Sequence, residues 1–184
     1  MSKAVMLSVR PKWCEKIASG EKTIEVRKTR PKLAPPFKAY IYCTMPDAKD
    51  PHNILELHGA DGKIRKANGK VIGEFTCKGF IPFSHGRPCF VTGTPEEIER
   101  MTCLSREEIW EYAPHGNPIG WRITDLVIYN TPRELTEFRM PCPNDLYCEV
   151  CAMYSNNGGI CNNGALPLRR PPQSWCYVEV MKDE

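Results

Sequence analysis

The chain has 184 residues, 41% hydrophobic and 26% charged, with a net charge of +3 from 25 basic and 22 acidic side chains. That length suits one domain with a real core, and so small a net charge does not by itself argue for a nucleic-acid partner. No apolar run approaches the ~18–20 residues that span a bilayer, and the first residues lack the apolar length of an export signal, so the expectation is a cytoplasmic protein with no membrane association. The 17 prolines are close to double the ordinary share of roughly 5%; they predict short elements and shaped loops.

Residues 4–9 alternate and predict a strand. Pro11 fits the first position of a helix. Trp13, Ile17 and Ala18 fall on one face at helical spacing, and Gly20 is a C-terminal stop. A second strand is expected at 22–27, with Thr23, Glu25 and Arg27 on one face and Ile24 and Val26 on the other. Residues 28–36 form a basic, proline-broken loop carrying Lys28, Arg30 and Lys32. A third strand is expected at 38–43. Residues 44–69 are polar and rich in glycine and proline, and predict an excursion loop or hairpin. Residues 70–81 form a long strand whose two glycines suggest bends or bulges, as a barrel needs. Thr94-Pro95-Glu96-Glu97 and Ser105-Arg106-Glu107-Glu108 each read as a helix start, with a hydroxyl cap and acid in the first turn. A strand is expected at 120–129, a short helical turn at 132–138, a cysteine-rich segment at 140–165 and a closing strand at 174–181. Strands dominate, with helices between them, which points to an α+β fold built on a mixed β-barrel.

The segment Ser19–Arg27 carries the chemistry. Lys22 sits at the turn, and Thr23, Glu25 and Arg27 point one way. Arginine offers a planar fork of donors and glutamate accepts from an amino group, so this face can read a base edge or hold a phosphate. On pattern alone, a solvated strand face with an exposed Glu–Arg pair, worth ~0–1 kcal/mol, is the commoner arrangement.

Leu7-Ser8-Val9-Arg10-Pro11, followed by Ile17-Ala18-Ser19-Gly20-Glu21-Lys22-Thr23-Ile24-Glu25-Val26-Arg27, resembles the opening of the ASCH family, with its strand, helix and G-x-K-x-x-E-x-R motif. Val71–Phe75 resembles the family's central strand, Trp121–Tyr129 and Pro132–Phe138 its strand-and-helix pair, and Pro171–Val178 its closing strand. The resemblance runs in order over most of the chain, and suggests a phage or bacterial member. It implies a PUA-like pseudo-barrel with a cleft beside the motif strand, and RNA, a nucleotide or a modified nucleoside as ligand. Gly20, Lys22, Glu25 and Arg27 match the motif, and Thr23, Arg10 and Trp175 complete the expected ligand-binding set. Some small proteins of this type are amidohydrolases acting on an acetylated cytidine. They resemble this chain at Lys22 and, by a looser alignment, at Glu74. Their proposed threonine nucleophile falls at Glu25; Thr23 keeps the face but lies ~6–7 Å along the strand. Binding is therefore favoured over hydrolysis, whether of an acylated nucleoside or of RNA as a ribonuclease, and an enzyme would work through Lys22 with Glu25 or Glu74.

Ten cysteines are present. Cys142, Cys148, Cys151 and Cys161 fall within 20 residues among Asn, Gly and Pro. The Cys-x2-Cys pair is the tight half of a zinc knuckle. A segment this poor in apolar residues cannot build its own core, so a structural zinc held by these four thiolates is expected, with free thiols or iron–sulfur ligation as the other readings. Residues 140–170 then form a metal-binding insertion before the last strand of a single domain spanning 1–184. A zinc-stabilised adaptor that docks another protein is a third functional reading. Arg169 and Arg170 add a second basic run. His52, His58, His85 and His115 read as surface or turn residues, and Trp13, Trp110 and Trp121 as core. Trp175 and Tyr177 could flank the cleft.

Overall fold

The first strand is buried along almost its whole length, because both of its faces are covered. Val5, Leu7 and Val9 enter one apolar cluster, and Ala4 and Met6 enter another. The computed structural model describes residues 3–46, 53–89, 94–114, 116–141 and 167–181. Its elements are β1 (Lys3–Val9), α1 (Pro11–Ala18), β2 (Ile24–Arg27), β3 (Phe37–Cys43), β4 (Glu56–His58), β5 (Ile64–Lys66), β6 (Lys70–Ser84), β7 (Arg87–Pro88), α2 (Pro95–Thr102), α3 (Arg106–Tyr112), β8 (Ile119–Glu134), a 3-10 turn (Leu135–Glu137) and β9 (Trp175–Glu179). The fold is α+β, as expected, with a mostly antiparallel sheet.

The main sheet runs β2-β8-β6-β3-β1-β9, with β7 paired to β6. β1 and β3 pair parallel, Val5 opposite Ala39; the other pairs are antiparallel. The sheet curls until its far strands meet through side chains. Trp175 is on the end strand β9 and Trp121 on β8, four places away in the order and next to the other end strand, yet their rings are 6.2 Å apart. The Trp175 indole N–H donates to Thr29 Oγ1 at 2.9 Å, just beyond β2. The Lys32 amide donates to Tyr177 Oη at 2.8 Å. The basic loop at 28–36 is thereby stitched to the last strand.

Three apolar clusters follow from this curl. The largest fills the inside of the sheet under α1 and includes Leu7, Cys14, Ile41, Phe75 and Trp121. The second, around Met6, Tyr40, Phe138 and Val178, covers the outer face. The third joins Ile24 and Val26 of β2 to Ile98 of α2 and Ile109 of α3. It seats the α2–α3 arm against the site strand. Both arm helices open on capping boxes, Thr94 with Glu97 and Ser105 with Glu108, as the sequence predicts.

The polar excursion at 44–69 contains a small hairpin, β4–β5, one of the two forms expected of it. Other expectations need correction. The helical turn expected at 132–138 is shorter and later, because β8 continues to Glu134 before the 3-10 turn. Pro132 is tolerated there because the β6–β8 register shifts between Val71/Arg133 and Gly73/Ile128; a proline lacking its N–H fits such a break in the ladder. β2 begins at Ile24 and not at 22. The Lys22 amide is taken by Lys16 O at 2.8 Å and the Thr23 amide by Met101 O at 2.9 Å, so neither N–H is free for a neighbouring strand. Trp110 is not core: it is 39% exposed and stacks on His85 with ring centroids 5.2 Å apart.

Candidate functional site

α1 ends through a tight reversal. Gly20 adopts a φ of +79°, a backbone conformation that favours glycine, and its amide bonds Ile17 O at 3.0 Å. The turn is held outside by Lys16 and Glu21 at 2.8 Å. It delivers Lys22 beneath α1 and starts β2. Ile24 and Val26 then pack on the arm, while Glu25 and Arg27 turn the other way, as their alternation predicts.

That polar face is buried, where the sequence pattern alone favours a solvated strand. Lys22, Glu25 and Arg27 are 2%, 6% and 8% exposed. Glu25 sits between the two cations: its Oε1 lies 3.0 Å from Arg27 Nη2 and its Oε2 3.5 Å from Lys22 Nζ. Arg27 Nη2 also donates to Ser8 O at 2.6 Å. The Lys22 ammonium donates to Thr102 O at the end of α2 and lies 4.9 Å from the centre of the Trp13 ring. Burial pushes the Lys22 ammonium below its ordinary titration range, and the adjoining Glu25 carboxylate opposes that shift. Two buried polar atoms of the group, Glu25 Oε2 and Arg27 Nε, make no hydrogen bond.

These residues form the floor of a cleft of about 850 Å³. One wall comes from the end of β1 and the start of α1, with Ser8, Arg10, Lys12 and Trp13. The Lys12 ammonium lies 4.6 Å over the Trp13 ring. The facing wall is the arm, with Leu104, Glu108, Glu111 and Tyr112. Lys28 reaches the Tyr112 ring at 5.2 Å. The cleft is therefore basic on one side, acidic on the other and lined by two aromatic rings. A second hollow of about 550 Å³ runs along Val127–Arg133. It is more open and contains none of these buried charges.

The structure sorts the residues expected from sequence. Lys22, Glu25, Arg27 and Arg10 line the cleft. Gly20 shapes the turn: a Cβ there would meet nothing within 4 Å, so its role is its backbone angle. Thr23 is outside the lining, with its amide on Met101 O and its carbonyl accepting from Ile123 N at 2.9 Å. Glu74 is also outside it. Its carboxylate takes Lys38 Nζ at 2.7 Å and Tyr129 Oη at 2.7 Å, on the outer face with Tyr40, its partner across the ladder. Trp175 belongs to the seam that closes the sheet. Cys142, Cys148, Cys151 and Cys161 lie outside the described residues; among the described residues no cluster of His, Cys, Asp and Glu is arranged to hold a metal ion. The buried Cys14, beneath the floor, is no candidate nucleophile: burial first, then the neighbouring Cys43, pushes its thiol well above the ordinary range. Ser8, Lys12, Thr102, Glu111 and Tyr112 carry no local motif. The helix-start signals at Thr94 and Ser105 show that the arm exists but not where it docks.

No helix among the described residues is long and apolar enough to cross a membrane. No family model matches the chain, and no curated protein matches it. Solved structures do. A mutant form of the ASCH protein from Zymomonas mobilis superposes with a TM-score of 0.53 at 16% identity, over 97% of this chain and 91% of that one. The unmutated protein from the same organism gives 0.52 at 16% identity, over 96% and 87%. The likeness is one of fold.

Proposed function

We propose that this chain, which has the ASCH-type fold, binds a nucleic-acid-type ligand, either RNA or a modified nucleoside, in the cleft over Lys22, Glu25 and Arg27. The observation that carries the reading is the convergence of these three buried charges on the floor of one cleft of about 850 Å³. A buried ion cluster is costly to maintain and rarely adds net stability. Charges of this kind collect where a ligand or a reaction needs them. The cleft volume is in the range of ligand sites, and the walls supply cations for a phosphate and rings for a base.

The test is a titration of fluorescently labelled single-stranded RNA with the full chain across a salt series. Binding that weakens with salt and falls at least tenfold in Lys22→Met is expected. No binding at low salt would overturn the RNA version.

A hydrolase of the same site is the second reading, favoured by Lys22, a buried cleft amine held below its ordinary titration range beside a carboxylate. Glu74 is bonded to Lys38 and Tyr129 on the outer face, which leaves Lys22 and Glu25 as the groups available. Acetylated cytidine and labelled RNA, each incubated with enzyme in excess, test it; unchanged substrates would exclude it.

A further inference from the structure

The loop that leaves β2 is basic, exposed and fixed in place. Lys28, Arg30 and Lys32 face solvent, while Pro31 between the last two is buried. Four successive anchors tie this stretch to aromatic rings of three different elements. The Lys28 ammonium lies 5.2 Å over Tyr112 of α3. Thr29 Oγ1 accepts the indole N–H of Trp175 on β9. The Arg30 guanidinium lies 5.5 Å over Phe80 of β6, and the Lys32 amide donates to Tyr177 Oη on β9. Phe80, Trp175 and Tyr177 are themselves partly exposed. Loop and rings therefore make one surface in which cations and aromatic groups interleave.

The charge on this surface is unanswered. Elsewhere Lys16, Arg65, Lys70 and Lys78 each take an acid. Among the described residues no carboxylate pairs with Lys28, Arg30 or Lys32. Three like charges held together repel one another, and a polyanion relieves that repulsion. The surface is also continuous with the cleft. Arg27 on the cleft floor directly precedes Lys28, and Tyr112, under Lys28, belongs to the cleft wall. Gln173 at the cleft stands two residues before Trp175. The rest of the arm wall carries Glu108 and Glu111, which repel a polyanion, so a strand leaving the cleft is directed past Tyr112 to the loop and not along α3.

We infer that residues 28–32, with Phe80, Trp175 and Tyr177, form a track for single-stranded RNA that continues out of the cleft. Its cations meet phosphates and its rings meet unstacked bases. Arg30, held over a ring, serves both partners, because a guanidinium pairs with phosphate and stacks on a base. The inference rests on the nucleic-acid reading above and chooses the polymer over the free nucleoside. A duplex keeps its bases stacked away from such rings, and an acidic peptide brings charge without bases.

Calorimetric titration of the full chain with oligouridylates of two, four and eight nucleotides, across a salt series, tests the track. The octanucleotide is expected to bind at least fiftyfold tighter than the dinucleotide at low salt, well above what its greater number of binding registers supplies, and to lose affinity more steeply with salt. Arg30→Ala with Lys32→Ala is expected to reduce the slope of log affinity against log salt for the octanucleotide by about 1.4, from two phosphate contacts at ~0.7 each. Removing the same charge with Arg65→Ala and Lys70→Ala, outside the track, is expected to leave that slope unchanged. A length gain no larger than the added registers overturns the track, as does a slope reduced equally by both pairs of substitutions. An RNA duplex or a polyglutamate peptide of equal charge that binds as tightly as the octanucleotide overturns it too. The length series uses the unsubstituted chain, so it decides even if a variant folds poorly. Dinucleotide binding without length dependence overturns this inference and leaves the proposed function standing; no binding of any RNA overturns the inference together with the RNA version of that function.

Discussion

Lys22 is surrounded by a carbonyl, a carboxylate and an indole face, and only 2% of it reaches solvent. The hydrogen bond and the ion pair satisfy its charge, but burial dominates and the folded protein releases this proton more readily than the unfolded chain. Stability then acquires a pH dependence of definite sign. Below the depressed folded value both states hold the proton, and the full cost of burying the charge is present. As pH rises from there toward the ordinary value near 10.5, the unfolded chain holds more protons at this position than the native one, and the native state gains. Urea midpoints of the unsubstituted chain, measured from pH 8 to 10.5 against those of Lys22→Met, are expected to diverge in favour of lysine with rising pH. Parallel curves would show that Lys22 titrates normally in the fold.

The α2–α3 arm is positioned by one turn as much as by its own apolar face. Gly86 has a φ of +72°, and a Cβ there would lie 2.3 Å from Arg106 O at the first residue of α3. Arg106 Nε donates to His85 O at 3.3 Å in the same turn, and His85 stacks on Trp110. Gly86→Ala combines a strained backbone angle with a clash against backbone, so a loss of about 1–3 kcal/mol is expected on chemical denaturation. Ligand affinity should fall with it, because Glu111 and Tyr112 ride on α3. Unchanged affinity in a destabilised variant would separate the arm from the site. The four-thiolate zinc expected of Cys142, Cys148, Cys151 and Cys161 is proposed on sequence grounds and tested by metal analysis. About one zinc per chain in fresh protein supports it, and less than about half an equivalent removes it.

At the scale of the whole molecule, closure of the sheet depends on a few aromatic contacts. Trp121 is fully buried, and its contact with Trp175 joins the end strand β9 to β8, the neighbour of the other end strand. Trp175→Ala is expected to lower the thermal midpoint clearly, by less than the ~3–5 kcal/mol equivalent of a fully buried tryptophan, while unfolding stays a single transition. A separate early transition in the melt would show that β9 docks independently. Residues 11–27 were legible in the sequence because their information is contiguous: a proline start, a glycine stop and an alternating strand. The burial of Glu25 and Arg27 was not, because it depends on partners outside the strand: Arg27 is bonded to Ser8 O on β1, and the Lys22 beside Glu25 is held by Thr102 O at the end of α2. Glu74 shows the same limit. Strand period gives its face relative to its neighbours on β6, but only the pairing with β3 and β8 decides that this face looks away from Lys22. Trp110 reads as core from its neighbours and turns outward because His85 offers it a ring.

The bond from the Thr23 amide to Met101 O joins the first thirty residues to the arm beside Lys22. That amide exchanges its hydrogen with solvent only when the bond opens. Its deuterium uptake is therefore a clock for detachment of the arm: fast uptake in the free protein that slows when a ligand fills the cleft marks the arm as the door, and equal uptake in both states marks it as a fixed wall.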